Sequence, residues 1–139
     1  MTEGAVAVFR ADPIRDQVAV VQAVAAAIAA ARVEGRSRLL VDLRPTAGMA
    51  PPTLAQRDAL VAIWARAAQG QVMVALLAQP EMLDPERFGE MMAAAAGFRA
   101  EGFSDPDLAM AWLLRQHDPL APMTGSAASA PGRTPAREP

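Results

Sequence analysis

The sequence predicts an α/β domain with a mainly parallel, four- to five-stranded sheet and about four helices. Short apolar runs without helical period alternate with longer segments whose apolar residues recur every three to four positions. Asp-Pro pairs open several of the longer segments, and a glycine closes three of them, the punctuation of capped helices. The chain has 139 residues, 53% of them hydrophobic and 20% charged, which supplies one domain and its core.

The first apolar run, Val6-Ala7-Val8-Phe9, reads as a strand. Asp12-Pro13 then marks a helix over about Pro13 to Glu34, with Ile14, Val18, Val21, Ala25 and Ile28 on one face and Gly35 at its end. Its stretch from Val18 to Val33 is largely alanine and is broken by Gln22 and Arg32, so it predicts a covered helix and not a membrane span. The second strand is Leu39-Leu40-Val41-Asp42-Leu43. The next helix opens at Thr53-Leu54-Ala55-Gln56, the spacing of a capping box, continues through Leu60, Val61, Trp64 and Ala68, and ends at Gly70. Val72 to Leu77 forms the third strand. A third helix over about Pro85 to Ala96, opened by Asp84-Pro85, turns Phe88, Met91, Met92 and Ala95 inward and stops at Gly97. Phe98 to Phe103 predicts a weak edge strand because Ala100, Glu101 and Gly102 interrupt it. Asp105-Pro106 opens the last helix, to about Gln116, with Leu108, Ala109, Trp112 and Leu113 apolar. Continuous apolar strands suit a sheet covered on both faces.

Residues 1–117 therefore read as a single domain. Residues 118–139 contain five prolines and, apart from Leu120 and Met123, almost nothing large and apolar, and they predict a disordered Pro/Ala/Ser-rich tail.

Several function classes are excluded by residue type. Cysteine is absent, so no disulfide, thiolate metal site or cysteine nucleophile can form. All thirteen basic residues are arginine, which removes P-loop, kinase-type and Schiff-base lysines. A net charge of −2 and a pI near 5.3 give no basic field for a nucleic-acid backbone. The single histidine, His117, stands at the tail junction, where a general base would lack a rigid frame, so no pair of it with Ser37, Ser104 or a threonine is indicated. The opening Met1-Thr2-Glu3-Gly4 lacks the basic start of a secretory signal, and the expected location is cytoplasmic.

In open α/β sheets ligands meet the loops at the carboxyl ends of the strands. The longest such loop runs from Arg44 to Pro52 and ends at a helix N-terminus, where free amides favour an anion. Asp42, Arg44, Thr46 and Thr53 are the candidate residues of an interaction or phosphoacceptor loop. Each has a simpler use: Thr53 can cap its helix with Gln56, and Asp42 can bond loop amides or pair with an arginine. Met82, Met91, Met92 and Met110 can line an adaptable groove or fill the core. Arg57-Asp58 and Asp84/Glu86/Arg87 read as solvated helix faces.

The strand Arg38-Leu39-Leu40-Val41-Asp42-Leu43-Arg44, the later Val72 to Leu77, Phe88, Gly97-Phe98, and Phe103-Ser104-Asp105 leading to Ala109-Met110-Ala111-Trp112-Leu113 resemble the STAS-like superfamily. The nearest branch is that of small bacterial anti-sigma-factor-antagonist-like proteins, over about residues 5–115. The resemblance implies a non-enzymatic regulatory or protein-interaction domain, and a serine or threonine at the helix after the "D-L" strand that a partner kinase phosphorylates. It places that acceptor at Thr53, with Pro51-Pro52-Thr53-Leu54-Ala55 where the family carries Asp-Ser-Ser-Gly-Leu. The expectation is then a protein partner, with a homodimer allowed, and no cofactor, catalytic residue, metal, nucleic acid or membrane span. The alternative is a small-ligand or lipid-binding module using the interior between sheet and helices. A hydrolase built on Asp42 is a third reading.

Overall fold

The computed structural model describes residues 6–13, 16–46, 50–83 and 86–116. The tail expected at 118–139, His117, and the Asp84-Pro85 pair lie outside them. The elements alternate throughout: β1 (Val6–Arg10), α1 (Gln17–Val33), β2 (Arg38–Asp42), α2 (Leu54–Ala68), β3 (Met73–Leu77), α3 (Phe88–Ala95), β4 (Ala100–Phe103) and α4 (Pro106–Arg115). The four strands form one sheet in the order β1-β2-β3-β4, every pair parallel. The predicted α/β class with a parallel sheet and four helices is the observed one.

Strand order decides the layers. When strands are added sequentially by crossovers of the usual hand, all connecting helices fall on one face. Accordingly α1, α2 and α3 pack with Leu39, Val41, Val72 and Val74 into the larger core, around Val24, Ile28, Val61, Trp64 and Phe98. α4, which follows the last strand, returns over the other face, where Ala109, Trp112 and Leu113 meet Leu40, Met73, Ala75 and Leu77. The alternation of side chains along each strand separates the two cores. A sequential order also has no point where strand order reverses, so the usual ligand crevice of doubly wound sheets does not arise.

Most of the predicted punctuation is present. Thr53 and Gln56 form the reciprocal capping box of α2, and the Asp105 side chain accepts the Asp107 N–H at 2.8 Å with Pro106 at the first position of α4. Gly35, Gly70 and Gly97 all carry φ between 72° and 76°, the left-handed turn that ends a helix. Arginines tie down two further helix ends: Arg32 Nε donates to Ala67 O of α2, and Arg38 donates to Leu113 O and Gln116 O at the end of α4, each at 2.9 Å.

Other expectations are corrected. α1 begins at Gln17 and is capped by Asp16, whose side chain accepts the Val18 N–H; Asp12-Pro13 lies before the helix. Ala11 N–H still donates to Asp42 O, so the chain at Asp12 is only leaving the sheet. α3 starts at Phe88, after Arg87 in the left-handed region, without a side-chain cap. Ala93 is buried and Met92 packs half-buried on the core, whereas Phe88, Met91 and Ala95 are exposed. Val18 of α1 and Leu108 of α4 also point to solvent. β1 is not covered on both faces: Val8 is 62% exposed on the α4 side. No helix among the described residues is long and apolar enough to cross a membrane.

Candidate functional site

Because every strand is parallel, the loops after β1, β2 and β3 and the first turns of α1, α2 and α3 all lie at the carboxyl edge of the sheet. The sequence-predicted loop is there. β2 ends at Asp42, which is buried and stands opposite Arg10 in the β1–β2 register. Its carboxylate accepts Arg10 NH1 at 2.7 Å and the backbone N–H, Nε and NH2 of Arg44, each at 3.0 Å. The Arg44 side chain, its backbone N–H and the Arg10 charge outweigh burial and hold the Asp42 carboxyl below the usual carboxylate range. With four donors on its two oxygens, Asp42 fixes the way the chain leaves β2 and turns into the short 3₁₀ segment Arg44–Thr46.

This pairing has a defined pH signature. A carboxylate with a folded pKa below its unfolded value, about 3.9, stabilises the fold above that value. The contribution falls away as pH drops towards the folded pKa. Asp42→Asn should therefore cost about 1–2 kcal/mol at pH 7. In urea unfolding of both proteins, the gap should narrow between pH 5 and pH 3. A gap that stays constant would mean the ionised carboxylate is not what holds the turn.

Thr46 is buried; its Oγ1 donates to Leu43 O at 2.6 Å, so the hydroxyl closes the turn from within. Thr53 is exposed. Its Oγ1 accepts the Gln56 N–H at 3.1 Å, and Gln56 Oε1 accepts the Thr53 N–H at 2.8 Å. The structure thus brings Asp42 and Arg44 into one cluster, tucks Thr46 into the turn after it, and sets Thr53 separately at the head of α2. Thr53→Ala should lower stability by about 1 kcal/mol. Thr53→Asp should be nearly neutral, since aspartate also caps and suits the helix dipole. Equal melting temperatures for all three forms would show that the box contributes nothing.

Around this edge stand large apolar side chains in the first turns of three helices. Val18 of α1 is 65% exposed, Leu54 of α2 54%, and Phe88 and Met91 of α3 39% and 61%. Phe88 and Met91, three apart, share one face of α3. Helical spacing suggested inward positions for Val18, Phe88 and Met91, and the structure places them outside.

A cleft of about 120 Å³ opens between α2, α3 and the sheet, with Trp64, Leu76, Ala93 and Phe98 among its walls. Glu90 fastens α3 to β4: one oxygen accepts the Gly102 N–H at 2.9 Å and the other accepts Arg87 NH1 at 2.6 Å, while Arg87 also reaches Glu101 at 3.3 Å. Arg87, expected on a solvated face, is thus the centre of a clasp, and Glu90, with Glu101 beside it, raises its pKa above the ordinary guanidinium value. Of the four methionines singled out in the sequence, Met82 lines the cleft, Met92 packs on the larger core, Met110 packs on the smaller one, and Met91 is exposed. Sequence reasoning missed Arg57, Glu90 and Gly102 as cleft residues, because their partners are distant in sequence. Among the described residues no three acidic or histidine side chains gather as metal ligands would. No family model, curated protein or solved structure matches the chain.

Proposed function

We propose that this chain is a non-enzymatic interaction domain of the STAS-like, anti-sigma-factor-antagonist kind, acting in a bacterial cytoplasm. It docks a protein partner on the carboxyl edge of the sheet, where α1, α2 and α3 begin. The observation that carries this reading is the exposure of Val18, Leu54, Phe88 and Met91 at the starts of three neighbouring helices. Large apolar side chains grouped at one end of a small domain suit burial against a partner. The polar groups of the same edge serve the fold: Asp42 is saturated by arginines and an amide, and Thr46 closes a turn. The resemblance in the "LLVDLR" strand and the closing helix supports the STAS-like assignment.

The test is affinity capture from the native host with wild type, Leu54→Glu, Met91→Glu and Val33→Glu. Val33, at the far end of α1, is also exposed and serves as the control. A charge buried in an apolar contact breaks it, so Leu54→Glu and Met91→Glu should each lose a protein that wild type and Val33→Glu retain. Equal capture by all four overturns the proposal. Should the retained protein be a second copy of this chain, the partner is itself and the domain is a homodimer. Thr53→Asp belongs in the same series: loss of capture with unchanged melting would make the loop a phosphorylation-controlled switch.

A further inference from the structure

The cleft between α2 and α3 has a second lobe, of about 80 Å³, on the side of α2 facing α1. Both lobes are walled by Arg57, Leu60, Trp64, Leu76 and Met82. Four of these walls are apolar, and Met82 is a side chain that adapts its shape to what it touches. The fifth is a cation. Among the described residues, the Arg57 guanidinium makes one hydrogen bond, a long one of 3.5 Å from NH2 to Met82 O, and no ion pair. The other charges on the cleft are engaged with one another: Arg87 pairs with both Glu90 and Glu101, and Glu90 also holds the Gly102 N–H. An apolar slot with one guanidinium that makes, among the described residues, a single long hydrogen bond is complementary to an apolar molecule carrying one acidic group.

We propose that this cleft binds a small alkyl carboxylate, its chain along Trp64, Leu76 and Met82 and its carboxylate on Arg57. Size follows from volume. A cavity of roughly 150 Å³ accepts benzene, so a larger lobe of about 120 Å³ with a smaller one beside it takes a chain of roughly six to eight carbons. The site is separate from the exposed apolar side chains at the helix starts, and its occupancy does not depend on the protein-docking reading.

The walls also supply the decisive variant. Gly89 lines the cleft from within α3, and a Cβ placed there meets nothing within 4 Å. Gly89→Leu therefore fills the slot while replacing a helical glycine by a better helix former, so its melting temperature should hold or rise. The experiment titrates the full chain with octanoate, octanol and octylammonium below their micelle concentrations, read by amide chemical shifts in NMR. Wild type should bind octanoate one to one, about tenfold more tightly than octanol, and octylammonium least. Arg57→Gln should erase the preference for octanoate over octanol, and Gly89→Leu should abolish binding of both. Equal affinity of wild type for octanoate and octanol overturns the assignment of the carboxylate to Arg57. Octanoate binding that survives in Gly89→Leu, or no octanoate binding by wild type at all, overturns the cleft as the site.

Discussion

Trp64→Ala should lower stability by about 3–5 kcal/mol, the usual cost of removing a buried aromatic ring from a core. Trp64 is 5% exposed and sits where α2 meets α1 and the sheet, and its indole N–H donates to the Val21 carbonyl of α1 at 3.0 Å. It is therefore both filler and tie between two helices. The two roles separate in Trp64→Phe, which keeps most of the ring volume and removes the donor. That variant should cost about 1–2 kcal/mol, because Val21 O lies in a helix and its remaining bond limits the loss. Denaturant unfolding of wild type and both variants decides the matter. A phenylalanine variant as damaged as the alanine one would show that the hydrogen bond, not the packing, dominates at this site.

Trp112→Ala should have an effect of the same size, about 3–5 kcal/mol, on the opposite face of the sheet. Trp112 is 9% exposed and packs its ring against Phe103 of β4, with centroids 5.9 Å apart and planes tilted by 52°. α4 is the only helix on that face among the described residues, and Trp112 is its largest buried side chain. Losing it should loosen α4 before the three-helix layer. Fluorescence reports this cleanly in a Trp64→Phe background, where Trp112 is the single tryptophan. Its emission should be blue-shifted in the native protein and move red on unfolding. Water-like emission from the native state would mean that α4 does not cover the sheet as described.

Much of this architecture was legible because it depends on local signals. A short apolar run between turn residues reads as a buried strand, and Leu39-Leu40-Val41 within β2 and Met73–Leu77 of β3 are such runs. The caps at Thr53 and Asp105 and the glycine turns depend on residues within one helical turn, so their spacing is sufficient to find them. What failed depends on the neighbouring layer. A helix about 10 Å wide cannot cover four strands spaced about 4.8 Å apart, so α4 leaves Val8 on β1 open although Val8 lies in an unbroken apolar run. Asp12-Pro13 looks like a cap, but pairing of Ala11 with Asp42 carries the chain beyond the point where a helix could start.

The candidate site divides the same way. Asp42 and Arg44, two apart at a strand end, were readable as a pair, whereas Arg10 joins them only through the β1–β2 register, 32 residues away. The outward turn of Val18, Phe88 and Met91 was hidden because spacing tells which residues share a helix face but not which face meets the sheet. Arg57 reads as a surface charge until folding sets Met82 beside it, and Glu90 gives no signal in the sequence for its bond to Gly102. Chemistry assembled across the sheet leaves no spacing to recognise.

The most direct test of the docking surface is amide hydrogen exchange of the domain alone and in complex with the protein that it captures. Burial of a surface slows exchange of the amides beneath it. The first turns of α1, α2 and α3, at Gln17–Val21, Leu54–Asp58 and Phe88–Met92, should gain protection in the complex. The far ends of the same helices, at Ala30–Val33 and Ala65–Ala68, should exchange as they do in the free domain. Protection confined to α4 and the open face of β1, with the three helix starts unchanged, would contradict the account.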